Sequence, residues 1–465
     1  MTSVLAALQS SVVIPLVATI PSLFDVSAAD ASWIVISTLL GGSISAPILS
    51  RLADMYGKRR ILVLTLIAVG IGSLLVAVSD VFLIAVLGRT IQGCAMALTP
   101  IAFSIIKDVL PAHQVGLGIA VLSGTLSLGS AVGLPVAGVL HATWGWHALF
   151  WVSVILAPLL ALLAWLILPR DAVETKTRFD PLGAILLVLI VAPTLLVISQ
   201  ANAWGWTSPW VLGGIAIAAL SATAWIPWSL RREHPIVDIR VAVSRPIVLT
   251  NIATFILSAG MLANLYLASQ QLGVPRDVPG GMGLVAAQVG ILMAIPAAVL
   301  LVLTPVIGPM LNRWGGRFVM FLGAVIMAVG YVARIWLDGS PFAVTVGTTL
   351  VSVGIALGLT AQPMIIMGVV PLSETASANG VNSLFRSLGT SVAIAAIAAV
   401  TSATSVAVDG IEHATRQTFH TAFIGFAVAM AVAAVLTLAI PQSENGLRNP
   451  VRSNSLVRKT RRSQS

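Results

Sequence analysis

The sequence predicts an all-α integral membrane protein with fourteen transmembrane helices, and three observations lead to that fold class. Hydrophobic residues make up 58% of the 465 positions and charged residues only 9%, whereas soluble domains carry roughly 25% charged residues. Apolar runs of about 20 residues, enough to cross about 30 Å of hydrocarbon, recur along the chain. Nearly all the charge lies in the short segments between these runs. A water-soluble globular protein is therefore excluded.

The fourteen predicted spans are numbered in chain order. They cover residues 4–24, 31–50, 61–79, 81–106, 115–140, 147–168, 181–199, 210–230, 247–268, 284–306, 318–337, 342–366, 379–402 and 419–440. Of the 25 Lys and Arg residues, 20 follow even-numbered spans, the C-terminal tail included. Because short cytoplasmic loops are enriched in Lys and Arg, we expect both termini in the cytoplasm and a multi-pass protein of the plasma (cell) membrane. The net charge of +9 reflects this topology and does not indicate nucleic-acid binding.

Two loops resemble each other, which predicts two six-helix halves with two inserted helices. SRLADMYGKRR after span 2 and GPMLNRWGGRF after span 10 share a Leu, an Asp or Asn, a turn glycine and a basic residue, with Asp54 aligned to Asn312. Such internal repeats are typical of many transporters. We predict an N-terminal half over 1–168, a linker with spans 7 and 8 over 169–245, a C-terminal half over 246–440, and a basic, disordered cytoplasmic tail over 441–465.

The loop after span 2 is a candidate conformational switch. Glycine permits a turn conformation that other residues avoid, and a carboxylate at the end of one helix can bind the positive end of another helix's dipole. Such a contact holds one conformation until it is displaced. The alternative is an ordinary basic loop that fixes topology. The switch candidates are Asp54, Gly57, Lys58, Arg59 and Arg60.

Spans 4 and 5 carry further candidates. In span 4, RTIQG places Arg89 about 13 Å inside the membrane, with Gln92 one helical turn away. A charge at that depth usually faces a bundle interior or an aqueous cavity, so both residues are candidates for the transport pathway, with a structural ion pair as the alternative. In span 5, Gly133, Pro135 and Gly138 predict a bent helix, which serves either as a hinge or only as a small-residue packing face.

These three segments resemble signatures of the major facilitator superfamily, and specifically of its fourteen-helix drug/proton antiporter branch. SRLADMYGKRR is similar to the superfamily's loop signature, RTIQG to the RxxQG signature of the fourth helix, and GLPVAG to the antiporter signature of the fifth, with Pro135 one residue late. ANGVNSLFRSLG also resembles this branch and adds Asn382 and Arg386 of span 13 to the pathway candidates. The resemblance implies a major-facilitator fold and a multidrug efflux transporter that works by alternating access and exchanges its substrate for protons.

One departure from the branch bears on proton coupling. The branch usually carries an aspartate in span 1, in a segment resembling DxTxVxxALP, and Gln9 stands in its place. None of the 16 Asp and Glu residues lies within a predicted span, whereas a proton-coupled exporter needs a titratable group that both sides reach in turn. If protons are carried, Asp30, His141, His420 or Asp54 must contribute. An uncoupled facilitator of a metabolite and a truncated, inactive chain are the alternatives.

Polar residues within the spans predict the substrate cavity. The candidates are Gln9, Ser37, Asn251, Asn264 and Gln362. Uncharged side chains beside methionines predict a site for neutral or amphipathic small molecules, with hydrogen bonding between helices as their alternative use. The sequence lacks a nucleophile with its base, a metal-ligand cluster and a phosphate loop, so we expect no enzyme activity, no cofactor and no metal. Two related halves favour a transporter over a channel, with a small-molecule substrate, protons and membrane lipids as partners.

Overall fold

The computed structural model describes Leu5 and residues 20–169, 179–276, 278, 280–404, 406–408 and 411–441. Within these residues eleven helices are long and apolar enough to cross a membrane. One of them, Ala286–Trp336, contains both predicted span 10 and predicted span 11. A further helix, Ala112–Trp144, occupies predicted span 5. Predicted spans 2 to 14 are therefore all helical, and most of predicted span 1 lies outside the described residues.

Spans 2 to 6 form the group of helices that is called the N group. Two short helices, Ile20–Phe24 and Ala28–Ala31, precede it. The helices of spans 2 to 6 are Trp33–Tyr56, Lys58–Val78, Phe82–Val109, Ala112–Trp144 and Trp146–Ile167. Span 4 changes to a 3₁₀ helix over Gly93–Ala97 and then resumes. Span 5 runs through Gly133, Pro135 and Gly138 as one helix, and the side chain at position 135 lies outside the described part of the chain.

Spans 9 to 14 form the second group, which is called the C group. Its helices are Arg245–Gly273, Ala286–Trp336 for spans 10 and 11 together, Pro341–Val369, Thr375–Thr404 and Arg416–Leu438. A short helix, Ile239–Ala242, and a 3₁₀ turn, Leu372–Glu374, lie before spans 9 and 13. Between spans 13 and 14 the strands Val406–Val408 and Ile411–His413 pair antiparallel. The two residues between them in the sequence lie outside the described residues, and within the described part of the chain this is the one pair of strands among the helices.

The inserted helices Pro181–Trp204 and Pro209–Arg231 form spans 7 and 8. The FDPLG segment begins span 7 with a cap, because the carboxylate of Asp180 accepts a hydrogen bond from the backbone N–H of Gly183 at 3.0 Å. The same carboxylate accepts one from the Trp228 indole at 3.0 Å, which ties the start of span 7 to the end of span 8. Span 7 packs against spans 2 and 13, with Leu40 and Leu388 in the shared apolar cluster.

Single glycines separate the helices at both copies of the sequence repeat. Gly57, between spans 2 and 3, has φ 101°, and Gly315, between spans 10 and 11, has φ 79°. Residues with a side chain rarely adopt such values, so the chain reverses within one residue at each place. Hydropathy ends span 2 at residue 50, but the helix continues to Tyr56. The polar residues Asp54 and Asn312 near these helix ends find partners on neighbouring helices, so the helices of spans 2 and 10 continue beyond their predicted apolar stretches.

The N and C groups meet chiefly along two pairs of helices, and span 4 also contacts spans 12 and 13. Span 2 packs against span 13, and span 5 packs against span 10. Small residues allow close contact at both places: a Cβ at Gly380 would lie 2.8 Å from the carbonyl oxygen of Ala46, and one at Gly308 would lie 3.0 Å from the Cα of Leu117. The boundary between the two groups is called the seam. Large apolar side chains such as Ile167, 73% exposed, and Leu220, 69% exposed, cover the outside, as expected for contact with lipid.

Candidate functional site

The end of the helix bundle at which span 2 passes into span 3 is rich in Lys and Arg and is called the basic face. Asp54 lies there in the last turn of span 2 and is buried. Its carboxylate accepts hydrogen bonds from the backbone N–H of Ala376 at 3.2 Å and from the backbone N–H and hydroxyl of Ser377 at 2.7 and 2.8 Å. These donors lie in the first turn of span 13, where backbone N–H groups lack helical partners and the dipole is positive. An acidic side chain of the N group therefore binds a helix end of the C group.

A lysine of span 4 makes the complementary contact with the end of span 12. The Nζ of Lys107 donates to the carbonyl oxygens of Met367 at 2.6 Å and Val370 at 3.0 Å. Carbonyl groups at a helix C-terminus carry partial negative charge and lack helical partners, so a cation is stabilised there. The neighbouring Lys58 forms an ion pair with Asp108 at 2.5 Å. Asp54 and Lys107 thus each contact a helix end whose partial charge is opposite to their own.

The second copy of the repeat makes a similar contact in the opposite direction. Asn312, which aligns with Asp54, accepts a hydrogen bond from the backbone N–H of Gly116 at 3.1 Å and donates one to the carbonyl oxygen of His113 at 2.7 Å. Both partners lie at the start of span 5. The two copies therefore join the N and C groups at two places on the basic face, one through a charged side chain and the other through a neutral one.

The other residues of the predicted switch loop lie at the surface or at the turn. Gly57 makes the reversal between spans 2 and 3. The guanidinium of Arg59 lies 4.4 Å above the ring of Trp165 and donates to the backbone carbonyl of the same residue. Arg60 is exposed. Arg59 and Arg60 are therefore placed for contact with the membrane surface, whereas Asp54 is turned towards span 13.

Arg89 lies within the N group, in a buried polar network. Its Nε donates to the carbonyl oxygen of Ile34 at 3.3 Å and its Nη1 to the side-chain oxygen of Gln92 at 2.7 Å. The amide of Gln92 in turn donates to the hydroxyl of Ser73 at 2.9 Å. The ring of Phe150 lies 6.0 Å from the guanidinium. These partners belong to spans 2, 3, 4 and 6, so the network connects most of the N group, and the pathway role of Arg89 and Gln92 stays a prediction.

The glycine of the RTIQG segment has a separate role. A Cβ at Gly93 would lie 2.5 Å from the backbone nitrogen of Gly42 and 2.6 Å from the carbonyl oxygen of Thr38. Spans 2 and 4 therefore touch backbone to backbone at the point where span 4 becomes a 3₁₀ helix. The segment combines a buried cation, its acceptor and a close helix contact, which gives a physical reason for these three residue types at this spacing.

Four of the predicted residues come together in the C group near the seam. The Nδ2 of Asn382 donates to the side-chain oxygen of Asn251 at 2.9 Å and to the hydroxyl of Thr254 at 2.8 Å. One turn further along span 13, the Nη2 of Arg386 lies 3.4 Å from the side-chain oxygen of Gln362. The Nε of Arg386 and the Nε2 of Gln362 are buried and have no hydrogen-bond partner among the described residues. The two pairs link spans 9, 12 and 13.

Sequence reasoning did not single out Arg334, which forms a second buried cation site with Asn264. Its Nη1 donates to the side-chain oxygen of Asn264 at 2.9 Å, and its guanidinium lies 4.2 Å from the centre of the Phe423 ring. The amide of Asn264 donates to the carbonyl oxygen of Thr348 at 3.1 Å. Asn264 thus holds Arg334 inside the C group, and its place in a substrate cavity stays a prediction. An arginine within an apolar span was the signal that could have identified this site.

The sequence named His420 as a candidate proton carrier but did not predict the titratable cluster to which it belongs. At the end of the bundle opposite the basic face, the buried carboxylate of Asp338 accepts two hydrogen bonds from Arg416, at 2.6 and 2.8 Å, and lies 2.8 Å from the Nε2 of His420. Burial alone would raise the pKa of Asp338, but its hydrogen bonds with Arg416 and His420 outweigh burial and hold that pKa below its ordinary value. The cluster joins span 14 to the loop between spans 11 and 12.

The remaining predicted residues are separate from these groups. Ser37 is buried and its hydroxyl lies 3.4 Å from the carbonyl oxygen of Ile34, in its own helix. Asp30 is exposed and accepts a hydrogen bond from the hydroxyl of Ser27 at 2.6 Å. Gln9 and the side chain of His141 lie outside the described residues.

Comparison with known proteins identifies relatives among bacterial transporters. The Multidrug resistance protein B homolog of Mycobacterium tuberculosis (strain ATCC 25618 / H37Rv) is 27% identical over 338 residues, which are 70% of this chain and 60% of the relative. The Lincomycin resistance protein LmrB of Listeria monocytogenes is 24% identical over 386 residues, 81% of this chain and 80% of the relative. The MFS-type transporter YhcA of Bacillus subtilis is 25% identical, and the chain spans only 57% of its length.

The fold is also that of solved transporters. The structure of the proton:xylose symporter XylE superposes with a TM-score of 0.68 over 95% of this chain and 94% of the symporter, at 14% identity. The sequence profile of the Major Facilitator Superfamily matches residues 1–287 and 247–463. Together with the apolar helices, this match identifies a multi-pass membrane protein. The chain belongs to the Major Facilitator Superfamily.

Proposed function

We propose that the chain is an alternating-access exporter that moves drug-like, neutral or amphipathic small molecules out of the cell in exchange for protons. Relatives that are named for multidrug and lincomycin resistance support drug-like compounds as the substrates. The observation that carries the proposal is the pair of repeat-related contacts at the basic face, from Asp54 to span 13 and from Asn312 to span 5. Contacts of this kind between two helix groups can break and re-form as the groups rock, which alternating access requires.

The proposed direction places the basic face in the cytoplasm. The enrichment of Lys and Arg after even-numbered spans supports this orientation. With the contacts of Asp54, Lys107 and Asn312 in place, the cytoplasmic ends of the two groups are joined, and the substrate path from that side is closed. The described conformation then corresponds to the state from which substrate leaves to the outside, and breaking the three contacts lets substrate enter from the cytoplasm.

Asp54 is the group through which protons act in this scheme. The ionised carboxylate is the acceptor of all three hydrogen bonds with span 13. Protonation removes the negative charge that the helix dipole stabilises and occupies one acceptor position, so the contact is weakened and the cytoplasmic side opens. In this scheme the proton reaches Asp54 from the outside while the contact is formed and leaves to the cytoplasm once the contact has broken, so that inward movement of a proton is linked to opening towards the substrate.

An uncoupled facilitator of a metabolite is the second candidate. The observation in its favour is that the predicted spans contain Arg89, Arg334 and Arg386 but no Asp or Glu. A carrier of this kind needs the same opening and closing contacts but no titratable group in the path. The two candidates therefore differ in whether a pH gradient drives accumulation.

The proposal is tested by extrusion of a lipophilic fluorescent dye from energised cells, with and without a protonophore. Cells with the wild-type chain are compared with empty-vector cells, with Asp54→Asn, and with Asp80→Asn as a matched control, because the Asp80 side chain is 91% exposed. We expect extrusion that stops with the protonophore and with Asp54→Asn but persists with Asp80→Asn. Dye movement that runs only down its concentration gradient, at a rate that the protonophore does not change, would support the facilitator instead.

A further inference from the structure

We propose that Arg386 and Gln362 bind an acidic group of the transported molecule, so that amphipathic organic anions are the preferred substrates. The inference rests on the proposed transport function and narrows its substrate class. The pair of side chains is Arg386 on span 13 and Gln362 on span 12, next to the seam.

The pair lies within the membrane and next to the seam. Arg386 is seven residues after residue 379, where the apolar stretch of span 13 begins, which corresponds to about 10 Å along the helix and lies inside about 30 Å of hydrocarbon. The next residue, Ser387, lies 4.0 Å from the sulfur of Met96 in span 4, across the seam. Span 13 also approaches span 9 closely, since a Cβ at Gly389 would lie 2.1 Å from the carbonyl oxygen of Phe255.

The pair offers hydrogen-bond donors and lacks acceptors. The side-chain oxygen of Gln362 is already used by the Nη2 of Arg386, at a long 3.4 Å. What remains are the Nε of Arg386 and the Nε2 of Gln362, both buried and without a partner among the described residues. Gln362 is fully buried, with an exposed fraction of 0%. Unpaired buried donors are costly. Arg334 also has two, its Nε and Nη2, but its Nη1 is held at 2.9 Å by the side-chain oxygen of Asn264 inside the C group. The pair of Arg386 and Gln362 lies next to the seam and has only its long mutual contact, so we take this pair as the site that an acceptor from a ligand completes.

The charge balance indicates that this acceptor is negative. Intramembrane cations normally pair with an acidic group or with backbone carbonyls. Arg89 follows this rule through Ile34 and Gln92, whereas the described contacts of Arg386 consist of the long one to Gln362. No Asp or Glu of the sequence lies within a predicted span to neutralise it. A carboxylate, sulfonate or phosphate fits the planar fork of the guanidinium, and the amide N–H of Gln362 can bind the same group.

The neighbouring helices favour a ligand whose remaining part is apolar. Met96 and Phe255 lie on the helices that adjoin span 13 at this depth, and methionine adapts its shape to varied apolar ligands. An acidic head with an apolar body therefore fits better than a small inorganic anion. It also fits better than a cationic drug, which the unpaired guanidinium would repel.

The test uses three dansyl probes that share one apolar ring and differ in charge: dansylglycine, dansylglycinamide and dansylethylenediamine. Binding to the detergent-purified full chain is measured by fluorescence anisotropy, and export is measured with the same probes in proteoliposomes. We expect dansylglycine to bind the wild-type chain about 10- to 100-fold more tightly than dansylglycinamide, which is the effect of one charge-assisted contact. The amine should bind most weakly.

Variants of Arg386 and Gln362 test whether this pair causes the preference for dansylglycine. Arg386→Gln should remove the preference for dansylglycine and leave binding of dansylglycinamide within about twofold, while Arg386→Lys should retain part of it. Gln362→Glu places a carboxylate beside the guanidinium and should also abolish the preference, because the acceptor is then supplied internally. Arg334→Gln is the matched control, since Arg334 is a buried arginine held by Asn264 inside the C group, and it should change the three affinities in parallel.

The outcomes separate this inference from the proposed function. Equal or weaker binding of dansylglycine by the wild-type chain, or a preference that Arg386→Gln leaves intact, overturns the inference even if the chain exports other dyes. A preference that depends on Arg386 without any export of probe or dye supports the anion site and overturns the exporter.

Discussion

Removal of the Asp54 carboxylate should open the basic face. Asp54→Ala deletes three hydrogen bonds to span 13, at 3.2, 2.7 and 2.8 Å, together with the favourable interaction between its charge and the helix dipole. Hydrogen bonds to charged groups contribute about 1.5 to 3 kcal/mol each, but these three share one carboxylate and are not additive. A combined loss of about 2 to 4 kcal/mol shifts the ratio of closed to open molecules roughly 30- to 1,000-fold towards open.

The shift can be measured as a distance between the two groups. Spin labels are attached at Arg60→Cys and Arg313→Cys, two exposed positions of the N and C groups at the basic face, in a Cys94→Ala background that removes the single native cysteine. Double electron–electron resonance in nanodiscs should give one short distance for the parent chain and a dominant longer distance for Asp54→Ala. Asp80→Asn should match the parent. An unchanged distance distribution in Asp54→Ala, in protein that elutes as a single species, would refute the reasoning.

Three further predictions follow from other contacts. Asn312→Ala should shift the same label distance in the same direction as Asp54→Ala but by less, since a neutral contact contributes about 0.5 to 1.5 kcal/mol; a shift larger than that of Asp54→Ala would contradict the assigned roles. Arg89→Ala should abolish dye export while the protein still inserts and purifies normally, because it leaves Gln92 without its cation; normal export by a well-expressed variant would refute this. Because the folded-state pKa of Asp338 is lowered, its ion pair should stabilise the chain above the ordinary aspartate pKa, and this stabilisation should be lost as the pH falls through the lowered value. The difference in Tm between the parent and Asp338→Asn should thus be present at about pH 7 and shrink in strong acid, and a difference that grows on acidification would contradict the sign.

The sequence predicted which segments cross the membrane because span length and apolar composition follow directly from bilayer thickness. It also predicted the alignment of Asp54 with Asn312, and both residues contact a helix of the opposite group. Their partners were not predictable, since all but the hydroxyl of Ser377 are backbone groups at the starts of spans 13 and 5 and carry no side-chain signature. The ends of spans 2 and 10 were placed too early for a related reason: Asp54 and Asn312 find partners beyond the apolar stretch, and the helices continue to them.

Side-chain pairs within the membrane were the least predictable part. Hydropathy assigned Arg334 and Asn264 to spans but not to a shared face, and the two are 70 residues apart in the chain. The same holds for Arg386 and Gln362 on spans 13 and 12. Such pairs depend on how the helices are rotated about their axes, and that rotation is set by the packing of small residues such as Gly380 and Gly389 against neighbouring backbones.

The most direct test of the central claim is transport by the purified chain in proteoliposomes with an imposed pH gradient and no other energy source. Exchange of substrate for protons predicts that a drug-like dye accumulates against its gradient only when the pH gradient is present. It also predicts that protons cross the membrane in the direction opposite to the dye. The resulting pH change inside the proteoliposomes should be absent with Asp54→Asn. Dye movement that merely equalises the two sides, at a rate that is independent of the pH gradient, would contradict proton-driven export.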